Sequence, residues 1–386
     1  MLEVTSEAHP SSIHEGAAGA RNKQDVEWFD IDGVVEWLNR GLETGDVKEW
    51  GPAMGELVNP MYRREEAIEV LAPVLAHSSW AIRTTAAHLL LMLGSAQGVP
   101  VLQSALEAAA RGEDVPEEVV VRAAASLHEF RQRTDGSAVF DAYERYKNWE
   151  LLDIAMAQHA PQLTEWVREQ RSGSVYVGGL LRMNEPNVIE GARRYIESSS
   201  LQWQEIGHWT LYRISGDEEH LAFIINKAKQ NIGLLPGPPD ENPYDSESAT
   251  TLRLLQMTVT PEVETTLREI ADFLVETSSR NQGAFSKTFA ALFYLHEDYG
   301  FVDERVLSYL RGDYEAPAIS DDLMWHIAEA RRTPEIEAAA IARSPITYER
   351  HFIRLSERPL EGWISGYFRN LPIDILPAVE TKDGSE

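Results

Sequence analysis

The 386-residue sequence contains no cysteine. Disulfides, thiolate metal sites and a cysteine nucleophile are therefore excluded. Lysine is scarce as well: seven of the 35 basic residues are Lys and the rest are Arg. Arg suits bidentate pairing with carboxylates between packed helices. No run approaches the roughly eighteen apolar residues of a membrane-spanning helix, and the N-terminus lacks an apolar secretory core. A cytoplasmic location with no membrane partner is the expectation. The histidines do not gather. There is no His-Glu-x-x-His motif, and a turn signal separates His208 from His220, so neither a metal nor another cofactor is expected. No glycine loop for phosphate is present, and Gly362-Trp363-Ile364-Ser365-Gly366 lacks the spacing of a nucleophile elbow. Positive charge is short overall, with 62 acidic residues against 35 basic ones and a net charge of −27. That charge repels a phosphate backbone, which argues against nucleic acid, and it steers in a basic protein.

What the chain does have is helical periodicity. Its 43% hydrophobic content suffices for a continuous core. Residues 1–24 are polar and aperiodic and read as a disordered tail. From Asp30 onward apolar residues recur with helical spacing, broken every ten to sixteen residues. The spacing predicts helices at Asp32–Leu42, Val47–Val58, Arg63–His77, Trp80–Gly94, Pro116–Arg131 and Leu151–Gln158. It predicts further helices at Leu163–Gln170, Val175–Met183, Asn187–Ser198, Ser248–Thr258, Pro261–Thr277, Ala284–His296, Asp303–Leu310, Asp321–Ala330 and Pro334–Arg343. No alternating strand pattern competes.

The helices repeat. Ile82-Arg83 and Val121-Arg122 lie 39 positions apart, each followed by four small residues, and Leu91 and Val101 map with the same shift onto Phe130 and Phe140. A more distant copy spans Gln204–Lys229, where Gly216 matches Gly94. Both glycines are expected to end a helix in a left-handed cap. A helix pair of this kind cannot bury its apolar face alone and implies stacked neighbours. The unit Trp80–Ala110, with its Val-Arg-type, Ala-Ala, Leu-Gly and Val-Pro-x-Leu signposts, resembles the HEAT repeat of phycobilisome lyase subunits. The likeness is clear over about thirty residues, recognisable at 116–147 and 203–229, and faint elsewhere. It implies an all-α, right-handed α-solenoid of about eight to nine HEAT-like helix pairs over 25–358. A Pro-interrupted C-terminal capping segment at 359–378 and a disordered tail at 379–386 would follow.

Two departures from regularity are the candidate contact surfaces. The insertion at 233–247 is too rich in Pro and Gly for a helix and long for a helix connection. Its acidic half offers Asp240, Glu241, Tyr244 and Asp245 to a basic partner. Tyr143, Tyr146 and Trp149 recur at spacings of three, so one helical face carries all three, with Glu150 beside them. Glu113, Asp114, Glu117 and Glu118 flank a helix start, where the helix dipole accounts for carboxylates. His296-Glu297-Asp298 has the residue types for proton transfer, but it closes a helix and reads as a solvated end. No residue set carries catalysis. The expected function is that of an acidic protein-binding scaffold or inhibitor for a basic protein, including an immunity-type protein masking a cationic nuclease-like toxin. The resemblance also implies an alternative, a bilin lyase-like enzyme or enzyme subunit acting on a tetrapyrrole-carrying protein. A HEAT-like DNA glycosylase would need a basic cleft, which the charge disfavours. The oligomeric state is left open.

Overall fold

The computed structural model describes residues 27–130, 132, 134–158, 160–163, 186–199, 201–236, 252, 254–276, 282–313 and 321–356. Among them there is no strand, and sixteen α-helices of eight residues or more succeed one another. They are α1 (Asp32–Thr44), α2 (Val47–Glu56), α3 (Arg64–Leu71), α4 (Trp80–Met92), α5 (Val99–Ala110), α6 (Glu117–Glu129), α7 (Gly136–Tyr146) and α8 (Trp149–Ala157). Then come α9 (Pro186–Ile196), α10 (Leu201–Ser215), α11 (Glu218–Asn231), α12 (Pro261–Glu276), α13 (Gln282–Tyr294), α14 (Tyr299–Arg311), α15 (Asp321–Arg331) and α16 (Pro334–Arg343). A four-residue helix, α17 (Pro345–Tyr348), runs into a π-helical turn, Glu349–Arg354.

Local chemistry sets these boundaries. The side chains of Asp46, Asp135, Asn148, Asp217 and Thr333 each accept a backbone N–H in the first turn of the helix they precede. Gly94 and Gly216 follow α4 and α10 with φ of 75° and 70°, the left-handed region that the sequence pattern implied. The expected helix Arg63–His77 is shorter and divided: it is α-helical only to Leu71 and continues as a 3-10 turn, Ala72–Ala76. Pro73 is the physical reason, because it has no N–H for the α-helical bond back to residue 69.

Neighbouring helices pack as pairs, and helices two apart also touch. Thus α4, α6 and α8 lie side by side in one layer, with α5 and α7 in contact behind them; α14 meets α16 and α13 meets α15 in the same way. Three buried clusters fill the interior. One joins α1 to α4 around Leu38, Met54 and Leu90, the next joins α4 to α8 around Leu102, Val120 and Leu152, and the last runs from α10 to the π turn. Fully buried Ala86, Ala87, Ala123 and Ala124 occupy the small-residue positions of the repeat. They let backbones approach closely, and Gly98 lies so near that a Cβ there would sit 2.3 Å from the Ala87 carbonyl oxygen.

Arginine does more than pair with carboxylates. Arg64 donates to the Leu93 and Gly94 carbonyls, Arg145 to those of Ala109 and Glu113, and Arg343 to that of Tyr309. Each guanidinium thus sits at the C-terminal end of another helix, where unpaired carbonyls and the helix dipole favour a cation. In the second half, ion pairs Arg268–Asp298, Arg305–Asp272 and Arg331–Asp303 tie α12, α14 and α15 together. The two ends of the described chain meet. Arg354 donates to the Glu27 carbonyl at 3.0 Å and stacks over Trp28, while the Phe29 N–H bonds Met61.

No helix among the described residues is long and apolar enough to cross a membrane. The expected tails at 1–24 and 379–386 and the cap at 359–378 lie outside the described residues.

Candidate functional site

The layer formed by α4, α6 and α8 carries an open groove of about 520 Å³. It runs along one face of α6, where Glu118, Val121, Arg122, Ala125 and Glu129 follow one another at helical spacing. His88 of α4 forms one wall. Asn148, which caps α8, and Glu150 in its first turn form the other. Glu117 completes the acidic end, held by a 2.9 Å hydrogen bond that Asn148 donates to its Oε1. The carboxylates of Glu117, Glu118 and Glu150 all sit in first turns, beside the N-terminal ends of the α6 and α8 dipoles.

Two side-chain ties fix the walls. Arg122 Nη1 donates to the Thr85 hydroxyl at 2.7 Å, and His88 Nδ1 lies 2.9 Å from Ser126 Oγ. Ser126 donates its own proton to the Arg122 carbonyl. It must therefore accept from His88, which places the imidazole proton on Nδ1 and leaves Nε2 as an acceptor. Burial, with help from the Arg122 charge, lowers the His88 pKa to about 4. The ring is neutral at pH 7. Ser126 is almost wholly buried and already donates locally, so the pair serves as a tie between α4 and α6.

The three aromatics expected on one helical face do not share a helix. α7 ends at Tyr146, Lys147 turns left-handed with φ 55°, and Trp149 opens α8 under the Asn148 cap. Tyr143 is buried in the core between α7 and its neighbours, and desolvation raises its pKa. Tyr146 is partly buried and donates its hydroxyl proton to the Val115 carbonyl at 2.6 Å. Trp149 is 59% exposed and packs its ring against Tyr143, 6.2 Å away. Of this group only Glu150 lines the groove. We expect Tyr143→Ala to cost about 3 kcal/mol and Trp149→Ala less than about 1 kcal/mol in urea unfolding. Equal losses would make Trp149 a structural anchor instead. Asp240, Glu241, Tyr244 and Asp245 lie outside the described residues, as do most of the insertion and the helices expected over 164–185.

One pair that a turn separates in sequence is brought together in the fold. The turn at Gly216 folds α11 back on α10, and His208 Nδ1 comes to 2.9 Å from His220 Nδ1. His208 also stacks on Phe223, and burial plus the neighbouring imidazole lower its pKa to about 4. Among the described residues no three His, Asp or Glu side chains gather as a metal site. Asp298, next to His296 and Glu297, caps α14 and pairs with Arg268. Trp209 is buried, its Nε1–H donating to Thr258.

Glu118, Arg122 and Glu129 were not among the contact residues expected from sequence. Their signal was available as a stripe on α6 with a carboxylate near each end and one arginine between. The side-by-side placement of α4, α6 and α8 is what turns the stripe into a groove. No family model matches this sequence, and neither the curated proteins nor the solved structures provide a match.

Proposed function

We propose that the protein is an acidic scaffold or inhibitor that takes a basic protein partner on the α4–α6–α8 face. One observation carries this reading: among the described residues the groove sets four glutamates, Glu117, Glu118, Glu129 and Glu150, beside one arginine, on a chain of net charge −27. Complementary charge steers a basic partner to such a surface and rejects acidic ones. An inhibitor that masks a cationic toxin is one instance of the class.

The architecture in this proposal is a right-handed HEAT-like α-solenoid of about eight to nine helix pairs. The 39-residue correspondence supports it, because the matched segments are α4 and α6, which lie side by side, and their followers α5 and α7 do the same. Stacked repeats give this pattern over α4–α7.

The test is a binding titration with an arginine-rich peptide and an acidic peptide of equal length. The arginine-rich peptide should bind at low salt and lose at least about tenfold in affinity between roughly 50 and 300 mM salt, as the screening length shrinks. Binding that ignores salt, or equal binding of the acidic peptide, contradicts the proposal.

A further inference from the structure

Two of the buried clusters lie at opposite ends of the described chain and share no residue: the one around Leu38 and Met54, and the one that runs to the π turn. The segment 27–31 reaches both. Ile31 is buried in the first cluster, and the Phe29 N–H donates to the Met61 carbonyl at 3.0 Å. Trp28, one residue earlier, packs against the last cluster instead. Glu27, Phe29 and Asp30 are exposed, so the segment crosses the surface. Its fastening is Arg354, the final residue of the π turn, a rare conformation found mostly as single turns and often at functional sites. Arg354 is 8% exposed. Its Nε and Nη2 donate to Glu349 Oε1, Nη2 donates also to the Glu27 carbonyl, and the guanidinium lies 4.9 Å from the centre of the Trp28 ring. The remaining nitrogen, Nη1, is buried with no hydrogen-bond partner among the described residues. A buried donor without an acceptor destabilises the state that holds it.

We infer that residues 27–31 are a strap that Arg354 fastens to the last helices, and that the strap releases while both end clusters stay folded. It gives the last cluster one partly buried ring, whereas that cluster itself is built from fully buried side chains such as Phe289, Val302 and Phe352. Segments with few buried apolar contacts and exposed backbone open at lower free energy than a packed core. Release also lets water reach Arg354 Nη1, which removes the orphaned donor. Glu349 sits on the same turn as Arg354, so their ion pair survives and no charge is left alone. Phe29 and Ile31 stay with the first cluster, so no helix has to melt. Fastened, the strap fixes the spacing between the first and last helices of the described chain; released, it frees them to move apart. This device is independent of the basic-partner reading.

The chain has no cysteine, so two introduced ones can be spin-labelled without background. Val47→Cys on α2 and Ile346→Cys on α17 put the labels at exposed positions near the two ends. Pulsed dipolar spectroscopy of the full chain should give one short distance without denaturant. In rising urea a second, longer distance should appear before helical circular dichroism falls. At matched urea Arg354→Gln should raise the ratio of long to short distance at least about tenfold, as the loss of a charge-assisted hydrogen bond implies. Trp28→Ala, a change outside every helix, should raise it about threefold or more through the lost ring contact. Distances that lengthen only as helix is lost, in the labelled chain and in both variants, overturn the strap, because the contact would then belong to one cooperative core. A ratio that ignores both substitutions overturns it as well.

Discussion

Gly98→Ala is expected to lower the unfolding free energy by about 3 kcal/mol, near the upper end of the cost of overpacking. The added Cβ would lie 2.3 Å from the Ala87 carbonyl oxygen and 2.8 Å from two further backbone atoms. Backbone cannot swing aside as a flexible side-chain end does, so α4 and α5 must separate. Conformational preference is not the cause: φ at Gly98 is −73°, which alanine adopts readily. Gly112 provides the contrast. It has φ of 82°, and a methyl group there would meet no atom within 4 Å, so Gly112→Ala incurs only the left-handed backbone cost of about 1 kcal/mol. Urea midpoints of the two variants separate the mechanisms. Equal shifts would mean that the α4–α5 junction is softer than its geometry implies.

Mild acid is expected to weaken the fold steeply, and two histidines in edge-to-face contact near the C-terminal end of the described chain account for much of the loss. His326 of α15 and His351 of the π turn lie with ring centroids 4.7 Å apart, both buried. Desolvation lowers the pKa of His326 to about 4, with Arg350 adding to the effect. It lowers that of His351 to about 3, where His326 and Arg350 contribute further. Asp322, 3.8 Å from His351 Nε2, does not offset this. Both folded-state values lie below the unfolded value near 6.5, so the unfolded chain binds more protons as pH falls. The stabilisation is therefore complete above about pH 6.5 and is lost progressively from there down toward pH 4 and 3. By pH 4.5 each ring withdraws on the order of 2–3 kcal/mol, from a native stability of roughly 5–15 kcal/mol. Unfolding free energies at pH 7.5 and 4.5 measure the effect. His326→Gln should flatten the dependence by a substantial part; an unchanged slope would place the acid sensitivity elsewhere.

Periodicity identified most helices because burial of one face is written locally. The spacing at 80–93 and 117–130 is enough to define α4 and α6, and Gly94 and Gly216 mark the ends of α4 and α10 by a backbone conformation that glycine adopts at no steric cost. Two local signals outweighed periodicity. Pro73 converted the end of an expected helix to a 3-10 turn. The Asn148 cap, with Lys147 left-handed before it, split the Tyr143–Trp149 stretch between two helices, so that a spacing of three no longer meant a shared face. The π turn, Glu349–Arg354, was not expected at all, since an i to i+5 pattern has no distinct hydrophobic period over six residues.

The groove was less legible, for a physical reason. A sequence states which face of a helix is apolar, but the lateral offset between helices two apart depends on packing. That offset sets Glu150 and Asn148 opposite His88 across α6. Glu117 and Glu118 are recognisable in sequence as first-turn carboxylates, and their helix-dipole role remains correct. Their place in a groove needed α8 beside them. The same holds for His208 and His220, whose approach depends on how closely α11 folds back on α10. The abundance of Arg acquires an additional structural sense, since Arg64, Arg145 and Arg343 close helix ends that carbonyls leave open.

A basic partner is proposed to lie on the α4–α6–α8 face. Hydrogen exchange of the full chain, with and without the arginine-rich peptide at low salt, tests this most directly. Slowed exchange is expected only in the first turns of α6 and α8 and the neighbouring part of α4. Protection centred on any other part of the chain, or none at saturating peptide, would contradict it.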